Sequence, residues 1–81
     1  MDIVIIIDDT KGESKEIMVL TSDTISICKK KYKIAGGIHN NEKWKYDGRI
    51  INDETKTLKE LGVENEDHFT LTSNIIGGNK I

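Results

Sequence analysis

A single cysteine, Cys28, leaves this 81-residue chain without any intramolecular disulfide, and a reducing intracellular compartment is the simpler expectation. Nor is there a surplus of charge of one sign. Twelve Lys and Arg against 14 Asp and Glu give a formal charge of −2, which argues against holding nucleic acid or an anionic membrane through net charge. The longest opening run of apolar residues, 3–7, is far too short for a bilayer span. It follows Asp2, where a signal peptide would carry basic residues. Internal repeats and low-complexity tracts are also lacking. At this length folding buries about 60–65% of the unfolded surface, enough for one modest core and too little for a deep catalytic cavity, so a multidomain enzyme is excluded.

What is present reads as alternating elements. Ile3-Val4-Ile5-Ile6-Ile7 is a β-branched run and predicts a buried strand, closed by the polar turn Asp8-Asp9-Thr10-Lys11-Gly12. The return segment 13–20 carries Ile17, Met18, Val19 and Leu20, apolar on both alternate faces, so the pattern leaves its register open. Ser22-Asp23-Thr24-Ile25 supplies a side-chain oxygen for a helix start, with Thr24 or Ser22 as the cap. Within that helix Ile25, Cys28, Tyr32 and Ala35 form one stripe toward a sheet, and Gly36-Gly37 ends it.

Beyond a polar connection at 39–42, Lys43-Trp44-Lys45-Tyr46, Asp47-Gly48 and Arg49-Ile50-Ile51 make a second hairpin signal. Residues 57–63 predict a short helical turn closed by Gly62, with Leu58, Leu61 and Val63 under the sheet. His68-Phe69-Thr70-Leu71-Thr72 is a last strand with Phe69 and Leu71 on one face, and 73–81 lacks periodicity and is expected to be a mobile tail. One helix covering one mixed sheet is an α+β, two-layer domain with the elements of a β-grasp, although pattern alone leaves strand order open.

In this order and spacing the chain resembles ubiquitin and its relatives over almost its whole length. The resemblance is carried by Met1-Asp2-Ile3, Ser22-Asp23-Thr24-Ile25, Gly37-Ile38, Tyr46-Asp47-Gly48-Arg49, Leu58, the stretch 59–67 (closer to SUMO-type domains than to ubiquitin) and Gly77-Gly78. It implies a ubiquitin-like β-grasp domain over 1–73, with a flexible C-terminal tail over 74–81. It further implies a protein modifier whose Gly78 carboxylate is adenylated, passed as a thioester between cysteines and delivered to lysines of target proteins. A tail threaded through a tight enzyme channel must be extended and lack Cβ atoms near the reacting carbonyl, which Gly77 and Gly78 satisfy. Asn79-Lys80-Ile81 follow, so a protease would first cleave after Gly78, before Asn79. The implied partners are activating, conjugating and deconjugating enzymes and target lysines. The implied protein is a monomeric non-enzyme of cytoplasm or nucleus that needs no cofactor or metal and binds neither nucleic acid nor membrane.

Departures from ubiquitin set the expected specificity. Where ubiquitin has the central isoleucine of its recognition patch this chain has Lys45, and Thr70 and Thr72 stand at the accompanying histidine and valine positions. Receptors that bury an apolar patch there would have to desolvate or displace an ammonium. Asn74 and Ile76 replace arginines of ubiquitin's tail, pointing to a dedicated activating enzyme. Lys45, Thr70, Thr72 and Asn74 are thus the candidate partner-binding face. Arg49 and Asn65 replace chain-forming lysines, whereas Lys29 and Lys31 match family lysines and are candidate acceptors, so single modification is expected rather than ubiquitin's usual chains.

Other chemistry is poorly supported. Cys28, with His39 or His68 as base, would be a nucleophile only if exposed, and its stripe turns it inward. Two histidines and a cysteine without close spacing make no zinc motif. Lys29, Lys30, Lys31 and Lys33 form a solvated helix face before they form an acidic-partner site, and Trp44 is a better core residue than the peripheral Tyr46. Two readings stay open beside the modifier: a non-conjugated ubiquitin-like interaction module, and a sulfur carrier ending in a thiocarboxylate, a class that normally stops at Gly-Gly.

Overall fold

The computed structural model of the chain describes residues 1–37 and 43–72. The expected connection at 39–42, the boundary between 1–73 and 74–81, and the tail itself lie outside the described residues. Strand β1 (Asp2–Asp8) runs antiparallel to β2 (Ser14–Leu20), with Ile5 opposite Ile17 and Ile3 opposite Val19. That register settles what the all-apolar pattern left open. Ile3, Ile5, Ile7, Ile17 and Val19 face the core, while Val4 and Ile6 are half-buried and Met18 is exposed. The opening run is therefore pleated, with alternate residues fully buried. Its turn is held by Asp9, whose Oδ1 accepts the amides of Lys11 (2.8 Å) and Glu13 (2.9 Å).

Helix α1 (Ile25–Ile34) starts at Thr24, whose hydroxyl accepts the Ile27 amide at 3.2 Å. Its first amides would otherwise lack partners, and the carbonyls of Lys56 and Glu54 accept those of Ile25 and Ser26, each at 3.1 Å. Ile25, Cys28 and Tyr32 are buried as the stripe predicts, but Ala35 is exposed. The helix ends at Ile34, so Ala35 is the C-cap and no longer follows the helical stripe, and Gly36 takes φ +97° immediately after it.

Strands β3 (Lys43–Tyr46) and β4 (Arg49–Ile50) form the second hairpin. Asp47 and Gly48 both adopt positive φ, 54° and 80°, as a tight two-residue hairpin requires. Helix α2 (Leu58–Leu61) carries a reciprocal cap: Thr57 Oγ1 accepts the Glu60 amide and Glu60 Oε1 accepts the Thr57 amide, at 3.1 and 2.9 Å. Leu58 and Val63 are buried beneath the sheet, and Leu61 only partly so.

Strand β5 (Asp67–Thr72) lies parallel to β1 and antiparallel to β3, giving one five-stranded sheet in the order β2-β1-β5-β3-β4. This is the mixed sheet on one helix of the β-grasp. Trp44 and Phe69 fill its centre, their rings 5.5 Å apart, with Tyr32 edge-on to Trp44 and Tyr46 stacked on Phe69 at 5.0 Å. Trp44 is fully buried and Tyr46 half-buried, as expected of a core residue and its peripheral neighbour.

Candidate functional site

Pleating sorts the residues of β3 and β5 onto two faces. Trp44 and Leu71 are paired on the helix side, so Lys43, Lys45, Thr70 and Thr72 lie on the opposite face, Lys45 across from Thr70 and Lys43 across from Thr72. The structure thus brings three of the four predicted face residues together: Lys45, Thr70 and Thr72. Asn74 lies outside the described residues, as do Gly77, Gly78 and Asn79. Lys45 is half-buried and has no ion-pair partner among the described residues, and Ile50 stands opposite it on β4, 46% exposed. The face is cationic at the β3 edge and hydroxyl-lined at β5. A partner surface with carboxylates or hydrogen-bonding groups fits there better than a dry apolar one.

Beside these residues lies a cluster that sequence reasoning missed. His68 Nδ1 is 2.8 Å from Asp8 Oδ2, and the Ser14 hydroxyl donates to Asp8 Oδ1. The Ser14 bond and the His68 contact hold the Asp8 carboxyl below its usual range, against the opposing pull of burial. Only the parallel β1–β5 register, with Ile6 opposite His68, brings these two residues together across 60 positions, so no local pattern announces them. Serine, aspartate and histidine are all present but wrongly ordered for catalysis. Ser14 bonds the carboxylate and not the imidazole, whereas a hydroxyl nucleophile would have to bond the histidine.

The other predicted residues occupy separate places. Cys28 is fully buried, and burial first, then the charge of Asp23, pushes its thiol up to about 12, so it is an apolar core residue and no nucleophile. Lys29 is ion-paired with Glu54, with its side chain 14% exposed, and Lys31 Nζ lies 2.6 Å from Asp23 Oδ2. Burial alone would raise Asp23, but the Leu20 amide and the Lys31 ammonium override it and hold the carboxyl below its ordinary value. His39 lies outside the described residues. Among the described residues no group of three or more His, Cys, Asp or Glu side chains could hold a metal, and no helix is long and apolar enough to cross a membrane.

A groove of about 350 Å³ opens where the β3–β4 hairpin meets α2, bounded by Tyr46, Arg49, Ile50, Ile51, Lys56 and Leu61. Its inner wall is fixed by Tyr46, whose hydroxyl donates to Asp67 Oδ2 at 2.6 Å while the same oxygen accepts the Glu64 amide at 2.8 Å. The bond to Asp67 and partial burial push the Tyr46 phenol up to about 12. The reciprocal effect, led by the same bond, lowers Asp67.

A search of curated protein sequences returns no match. Among solved structures the chain is similar to a ubiquitin from Caldiarchaeum subterraneum, with a TM-score of 0.74 and 26% identity over 96% of this chain and 100% of the other. The family model described as "Ubiquitin family" matches residues 4–74, a span that takes in the groove and all the strands and helices described above except the first two residues of β1. With the element order, the mixed sheet and this match in agreement, the chain belongs to the ubiquitin family.

Proposed function

We propose that the protein is a ubiquitin-like modifier, made as a precursor, trimmed after Gly78 and joined through the Gly78 carboxylate to lysine amines of other proteins. The observation that carries this reading is the pair Gly77-Gly78, set five residues beyond the last strand of a ubiquitin-family domain. Members of this family generally act as modifiers and not as enzymes, and the inert Cys28 and misordered Ser14–Asp8–His68 cluster are consistent with that role. Its partners are then activating, conjugating and deconjugating enzymes, acting on a monomer in cytoplasm or nucleus. Lys45 with Thr70 and Thr72 supports a dedicated set of enzymes in preference to ubiquitin's own, because an ammonium stands at the centre of the face.

The test is to express the chain with an N-terminal affinity tag in its native cells and digest the captured adducts. Branched peptides joining a substrate lysine to a tail ending at Gly78 are the expected result. A chain recovered only as free protein ending at Ile81, with full cellular activity after deletion of Gly77 and Gly78, would instead favour a non-conjugated interaction module. A terminal thiocarboxylate would favour a sulfur carrier.

A further inference from the structure

Resting on the modifier reading, we infer that Lys56 is an acyl-acceptor site for a second copy of this chain, the hairpin–α2 groove seating the incoming tail. An acceptor amine must be exposed, deprotonable and free of a tight carboxylate contact, since an ion pair stabilises the unreactive ammonium. That requirement places the two helix lysines singled out by resemblance, Lys29 and Lys31, behind their neighbours: each ammonium is bound to a carboxylate. Arg49 borders the groove but cannot be acylated at ordinary pH, its guanidinium staying protonated. Among the described residues Lys56 is the one lysine that lines the groove. It is exposed and makes no ion-pair contact among the described residues.

Its surroundings suit the role. The Lys56 backbone is anchored, its amide donating to the Asp53 carbonyl at 3.3 Å and its carbonyl accepting from Ile25 at 3.1 Å, so only the side chain has to move. The occupant is indicated by complementarity. Residues 73–78 of the tail, Ser-Asn-Ile-Ile-Gly-Gly, carry no charge, and Ile50, Ile51 and Leu61 offer an apolar wall for Ile75 and Ile76. Donation is assigned to another molecule because β5 runs away from the hairpin, from Thr70 opposite Lys45 to Thr72 opposite Lys43.

In the reaction Lys56 first loses a proton to solvent base. Its nitrogen attacks the Gly78 thioester carbonyl of the donor, the C–N bond forms, the C–S bond breaks, and the thiolate leaves with the electron pair and takes the second amine proton as thiol. The test needs no cognate enzyme. A 1–78 chain carrying a small-thiol C-terminal thioester is mixed with isotope-labelled full-length chain, and branch sites on the labelled chain are mapped by mass spectrometry. Branching at Lys56 is expected to exceed that at Lys11, Lys30, Lys33 or Lys59 by about tenfold, the advantage of a seated donor. Lys56→Arg should abolish that product, and Ile50→Asp should erase the preference. A small amine-selective acylating reagent, which has no tail to seat, should show no such preference. Even branching over the exposed lysines, concentration at Lys29 or Lys31, or the same preference with the small reagent would overturn the inference. Because the thioester is made chemically, these outcomes are separate from whether an activating enzyme charges Gly78.

Discussion

At the scale of single residues, the Tyr46–Asp67 hydrogen bond couples the hairpin to the loop before β5, and it can be read from both of its ends. Asp67 titrates below its ordinary 3.8 in the folded state, so its contribution is complete above that value and is lost as pH falls toward the lower folded one. Tyr46 titrates higher when folded, so its contribution is complete below about 10 and is lost as pH rises toward about 12. Tyr46→Phe should therefore cost about 1 kcal/mol near neutrality and flatten both limbs of the stability–pH curve, with stacking on Phe69 retained. Denaturant melts at acid, neutral and alkaline pH check this. Unchanged limbs would show that the bond does not form in solution. The face residue Lys45 presents the opposite case, a half-buried cation without an ion-pair partner among the described residues.

At the scale of elements, α2 is only four residues long, far below what helix propensity sustains alone, and its caps carry much of its stability. Thr57→Ala should cost about 1 kcal/mol of global stability by chemical denaturation, whereas Thr55→Ala, on the neighbouring exposed turn, should cost less than half as much. Equal effects would show that the capping box adds nothing beyond local turn bonding. Elements of this kind were legible in the sequence because their signals are local: Thr24 before Ile25, Asp47-Gly48 between alternating runs, Gly62 after Leu61. The stripe misplaced Ala35 because the helix stops one residue earlier. Long-range pairing was not legible. The parallel β1–β5 register, the Asp8–His68 contact it creates and the Lys29–Glu54 pair depend on residues from 25 to 62 positions apart, and no periodicity encodes them.

For the whole molecule, one sheet, one crossing helix and a shared aromatic centre make one body in which β5 ends at Thr72, opposite Lys43, while the groove at Lys56 lies toward the other end of β3. The end of β5 and the proposed acceptor groove thus lie at opposite ends of β3, an arrangement that would suit the proposed transfer between molecules. The ubiquitin-family match covers nearly all of that body, and the chemistry proposed for it lies just beyond, at Gly78. The measurement that bears on it most directly is charging by a cognate activating enzyme with ATP, followed on a non-reducing gel. The 1–78 chain should form a thiol-sensitive adduct with the enzyme cysteine, and the 81-residue chain should not until its last three residues are removed. Failure of the Gly78-terminated chain to charge, with an enzyme that charges its own established modifier in the same assay, would contradict the account.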